Sequence, residues 1–147
     1  DGVYSSKSVA AIGVAAHEVG HAIQHNKGYV FLRFRHSLFP VANFASRAAF
    51  PLILIGAFLQ LGGFLQIGII LFAVTTLFAI VTLPVEFNAS NRAMQVLSAE
   101  GILVGDELKG AKKVLQAAAL TYIASAAVSL GQLLRFILLF GGGRRDD

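Results

Sequence analysis

Two histidines and a glutamate stand together in a run of small and apolar residues, where polar side chains are expensive to bury without a purpose. The run reads VAAIGVAAHEVGHAIQHNKGY from Val9 to Tyr29, and the group is His17-Glu18-Val19-Gly20-His21. The absence of proline and the wealth of small residues predict a helix over about 5–25, which Gly28 suits as a terminator. On a helix, residues four apart project from nearly the same face, so His17 and His21 can both reach one ion at about 2.0–2.1 Å. Glu18 then lies beside the ion without being bound to it. A metallohydrolase needs this arrangement: two neutral imidazoles hold zinc, and the carboxylate takes a proton from water and passes it to the leaving amine. The chain has no cysteine, so a metal must be held by His, Asp or Glu.

Catalytic zinc takes three protein ligands and keeps a position for water, so a third is needed. His25 continues the four-residue spacing, but it lies about 12 Å along the helix axis from His17, too far for one ion unless the helix breaks. The reading for His25 is a capping or surface role, and His36 sits among arginines in YVFLRFRHSLFP. The better candidate is Glu86, in TLPVEFNASNRAMQVL. Pro84 suits the first turn of a new helix over about 85–99. On that helix Glu86 shares a face with Ala89, Ser90 and Ala93, and small neighbours let a second helix come close. His17, His21 and Glu86 are therefore the expected metal ligands and Glu18 the expected catalytic base. Tyr29, Asn91, Arg92 and Tyr122 remain open as donors to a developing oxyanion.

The elements around this site are apolar. Of the 147 residues 56% are hydrophobic and 14% charged, and the mean hydropathy of +0.71 exceeds that of ordinary soluble domains. Runs at about 41–61 and 64–83, joined by a turn at Leu61–Gly63, have the length to cross a bilayer, and a third covers about 114–140. Before them, Arg33 and Arg35 interleave with Phe31 and Phe34 in an extended or interfacial segment that Pro40 closes. The expectation is one all-α domain over 1–147, an integral membrane helical bundle built around the zinc helix. The net charge of +4 is spread through the segments between apolar runs, which speaks for orientation in a membrane and against nucleic acid. Lys27, Arg33 and Arg35 precede the hairpin and Arg92, Lys109, Lys112 and Lys113 follow it, which places both flanks in the cytoplasm. Arg144 and Arg145 oppose this if the last run spans: either they are outvoted or that run is re-entrant.

These segments resemble the YugP-type neutral zinc metallopeptidases of bacterial membranes. The resemblance rests on SVAAIGVAAHEVGHAIQH, TLPVEFNASNRA and AKKVLQAAALTYIASA, and covers nearly the whole chain. Members of that family begin with a further membrane helix and a soluble stretch, so the chain is expected to start after them. The Glu86-x-x-Ala89 pattern is also similar to the third-ligand helix of HtpX-type peptidases, where an aspartate four residues after the glutamate orients a zinc histidine. Here that position is Ser90, and Asn88 stands where YugP-like sequences commonly carry aspartate. Site-2-type proteases are a weaker match, since the internal Asp106 lies in a polar segment. The resemblance implies zinc-dependent proteolysis of membrane or membrane-adjacent proteins in the bacterial cell membrane, and the charge pattern places the active site near the cytoplasmic face. The rival expectation is a non-catalytic membrane scaffold or chaperone that keeps zinc for structure.

Overall fold

The computed structural model describes residues 2–141. They form four α-helices: α1 (Gly2–Asn26), α2 (Val30–Phe58), α3 (Gly62–Ala99) and α4 (Gly105–Phe140). The all-α expectation holds. The chain divides into two compact units, Asp1–Arg33 with Thr82–Ile123, and Phe34–Val81 with Ala124–Asp147. The site residues all belong to the first.

Three helices end in the same way, with one residue in the left-handed region. Gly28 (φ 65°) follows α1, Gln60 (φ 55°) follows α2 and Gly101 (φ 63°) follows α3. Behind each, the next amide reaches back into the last turn: Tyr29 N–H to the Gln24 carbonyl, Leu61 to Gly56, and Ile102 to Leu97, all at 2.9–3.0 Å. These bonds satisfy carbonyls that the helix leaves unpaired. Gly28 thus ends α1 as the sequence predicts. The turn between α2 and α3 falls at Leu59–Leu61, two residues ahead of its expected place, because Gln60 rather than a glycine takes the left-handed position.

Two expected breaks are absent. The segment from Val30 is helical rather than extended, and α2 runs through Pro40 and Pro51; α3 likewise runs through Pro84 into the stretch that carries Glu86. Proline costs a helix one backbone bond, whereas ending the helix would leave several donors and acceptors unpaired, which is the greater penalty in apolar surroundings. Glu86 therefore sits on the continuation of an apolar helix. The helix carrying the third apolar run likewise begins earlier than that run, at Gly105, with Asp106 and Glu107 in its first turn, where the helix dipole favours acidic groups.

In the first unit, Ala16 of α1, Ala93 and Leu97 of α3, and Ala111 and Leu115 of α4 form one buried cluster with Leu103. In the second unit, α2 buries Ala42, Ala45, Ala49 and Ile53 at spacings of three and four. Phe136 of α4 meets Phe72 edge-on at 5.3 Å, and Thr76 Oγ1 lies 2.8 Å from Ser129 Oγ. The outward faces are apolar: Phe58 is 84% and Leu138 81% exposed. Such faces need lipid rather than water, and α2, α3 and α4 are each long and apolar enough to cross a membrane. Arg144 and Arg145, which bear on orientation, lie outside the described residues.

Backbones approach closely in the α2–α3 hairpin at Gly68, where a Cβ would stand 2.9 Å from the Ile53 nitrogen. Gly68→Ala is expected to destabilise the protein by about 1–3 kcal/mol. Gly62→Ala, whose Cβ meets nothing within 4 Å, should lack this penalty. Thermal unfolding of both variants in detergent checks the difference.

Candidate active site

The site begins with a contact between two backbones. A Cβ on Gly20 of α1 would collide with the carbonyl oxygen of Ala89 on α3, and would stand 2.9 Å from its carbonyl carbon. Only glycine allows α1 to lie so near, and Ala89 is fully buried beneath it. On either side of this crossing, His17 and His21 face Glu86 and Ser90.

His17 Nε2 lies 2.8 Å from Glu86 Oε2, and His21 Nε2 lies 3.5 Å from Glu86 Oε1. The two rings meet edge-on, with centroids 4.7 Å apart. Glu86 is buried, at 3% exposure, on a helix where an unpaired carboxylate would be costly. The potential donor atoms of His17, His21 and Glu86 lie within 4.8 Å of one another. Two ligands of a tetrahedral zinc ion stand about 3.4 Å apart at ordinary bond lengths, a spacing that the two histidine–glutamate pairs, at 2.8 and 3.5 Å, bracket. Two neutral imidazoles and one carboxylate also suit a dication. The donor set fits zinc.

The far sides of both rings are held by neutral groups. His21 Nδ1 is 2.9 Å from Gln24 Oε1, while Gln24 Nε2 donates to the Val85 carbonyl at 2.7 Å and to Asn88 Oδ1 at 3.1 Å. The Val85 carbonyl can only accept, which fixes the amide of Gln24 and leaves its oxygen toward His21. His21 must therefore donate from Nδ1–H, and in the neutral ring the lone pair falls on Nε2, on the Glu86 side. His17 Nδ1 is 3.0 Å from Ser90 Oγ, a hydroxyl that can donate or accept as the ring requires. Asn88 Oδ1 also accepts from Arg92 Nε at 2.7 Å.

Gln24 was not singled out from the sequence, although it is fully buried. Its signal is positional, since it lies three residues after His21 on an otherwise small and apolar helix. His25 is exposed at the end of α1, and His36 is exposed on α2. Neither joins the cluster.

A cavity of about 210 Å³ opens on this group, lined by His17, Glu18, Glu86, Ser90 and, from α4, Tyr122 among others. Glu18 is exposed, unlike Glu86. Of the four oxyanion candidates, Tyr122 alone lines this cavity. Asn91 lines a neighbouring one, Arg92 is engaged by Asn88, and Tyr29 packs on Phe31 with ring centroids 5.8 Å apart.

A family described as "Putative neutral zinc metallopeptidase" matches residues 1–141. The chain belongs to this family. It is also 52% identical over 145 residues to a protein of Bacillus subtilis (strain 168) named "Putative membrane protease YugP", covering 99% of this chain and 64% of that protein. The chain thus spans less than two thirds of that relative's length. No solved structure matches it. Zinc thus has support from the family and from the donor set of His17, His21 and Glu86, and a membrane setting from the three apolar helices.

Gly20→Ala is expected to lower stability far more than Gly13→Ala, whose Cβ would make an ordinary contact of 3.7 Å with Ala111. The effect should be at least about 2 kcal/mol larger, because the obstacle is backbone that cannot rotate away. Thermal unfolding of the two variants compares them directly.

Proposed function

We propose that this chain is a membrane-embedded zinc endopeptidase that hydrolyses peptide bonds of membrane or membrane-adjacent proteins. The observation that carries the reading is the convergence of His17, His21 and Glu86 beside a cavity into which Glu18 is exposed. His17, His21 and Glu86 would hold the ion. Zinc bound there supplies a Lewis acid that acidifies water and polarises a carbonyl.

The remaining work falls to the chain. Glu18 accepts a proton from the attacking water as the new carbon–oxygen bond forms, and returns it to the amine as the carbon–nitrogen bond breaks. The Tyr122 phenol donates a hydrogen bond to the oxygen on which charge develops. Gln24 and Ser90 hold the imidazoles in orientation. The apolar helices anchor the site in a bacterial cell membrane, and the lysines and arginines flanking the hairpin favour a cytoplasmic-side active site. A structural zinc site is closed by four protein ligands. Three donors beside an open cavity therefore favour catalysis over a scaffold.

Glu18→Gln is expected to retain zinc and to lower turnover about 100-fold or more, since it removes the proton carrier without touching a ligand. Cleavage of casein by purified protein in detergent, with zinc content measured in parallel, checks this. Cleavage at the unmodified rate would refute the mechanism.

A second expectation concerns the third ligand. Glu86→Ala should lose most of its zinc, because it leaves a dication with two neutral ligands. His25→Ala should retain nearly one zinc per chain. Metal analysis normalised to folded protein separates the two, and the reverse result would exclude Glu86.

A further inference from the structure

A second cavity, of about 530 Å³, lies between α3 and α4 in the first unit. It shares Ser90, Leu115 and Ala119 with the cavity lined by His17 and Glu18, so the two are neighbours with lining residues in common. Its apolar wall is formed by Phe87 and Met94 of α3 and by Leu120 and Ile123 of α4. Its other polar lining residues, Asn91, Lys112 and Gln116, are exposed, and no carboxylate lines it. A volume in the range of about 300–1,000 Å³ is that of pockets enclosing a small ligand or a large side chain with its backbone.

We propose that this cavity is the substrate's side-chain subsite, which takes a large apolar residue, aromatic or branched, of a peptide lying along the α3–α4 groove. The proposal rests on the peptidase reading, and it adds which residues of a substrate are selected. Its position next to the site of the proposed chemistry argues for a peptide. The apolar wall gains from burying an apolar side chain, about tenfold or more in affinity for phenylalanine over alanine. Asn91 offers an amide group for a peptide backbone. Lys112, with no acidic residue beside it in the lining, disfavours a basic side chain there.

Glu18→Gln protein in detergent, with turnover expected to fall about 100-fold or more, allows recognition to be measured apart from cutting. Fluorescent peptides that differ in one residue, phenylalanine, alanine or lysine, are titrated by anisotropy. Phenylalanine should bind at least tenfold tighter than alanine, and lysine no tighter than alanine. Gln116 lines only the second of the two cavities and is exposed, so Gln116→Trp fills the space without disturbing buried packing. It should abolish the phenylalanine preference and leave alanine binding within about twofold. In casein digests by protein with Glu18 intact, a large apolar residue should recur at one fixed distance from the cut, and Gln116→Trp should erase that enrichment while zinc content stays constant.

Absence of a phenylalanine preference, or its survival in Gln116→Trp, overturns the proposal and leaves the cavity to a lipid acyl chain. A phenylalanine preference that Gln116→Trp removes, found in a protein that cleaves nothing, upholds the subsite and defeats the peptidase reading.

Discussion

The site depends on a backbone-to-backbone contact between Gly20 and Ala89. Histidine side chains are short, and two of them can share a buried carboxylate only if the helices carrying them lie unusually near each other. Gly20 supplies that nearness on α1, from within the His-Glu-x-x-His segment itself. Ala89 supplies it on α3, between Glu86 and Ser90. A residue that reads as a spacer in the motif is thus the one that sets the distance between the histidines and Glu86.

Nearness alone would leave the rings free to turn. Gln24 and Ser90 take the outer nitrogens of His21 and His17, and Gln24 is itself fixed by the Val85 carbonyl and by Asn88. These partners are neutral. A neutral amide or hydroxyl orients an imidazole while adding no further buried charge to a helix that already carries Glu86. Among the described residues no buried side-chain nitrogen or oxygen lacks a partner, so the network closes on itself.

The apolar helices serve the same end by a different physics. Helices that face lipid on the outside gain little from hydrophobic attraction to one another, and their association relies on close packing of small residues. Ala42, Ala45 and Ala49 along α2 and the glycine at 68 on α3 have that character. The same apolar surroundings explain why α3 continues through Pro84. Its continuation carries Glu86 on a helix anchored by a long apolar segment rather than on a short separate one.

Much of this was legible in the sequence because it is governed by local geometry. The spacing of His17 and His21 follows from the period of one helix, the reach that excludes His25 follows from its rise, and the apolar runs follow from composition. The small face around Glu86 points to the second segment, which the fold brings beside His17 and His21. The role of Gln24, the place of Tyr122 and the unbroken course of α3 were decided only in three dimensions. Glu86 meets His17 across 69 residues of chain, and no periodicity spans such a separation. Which polar residue faces which ring depends on how closely two backbones can approach, and that distance is a property of the packed helices rather than of either segment alone.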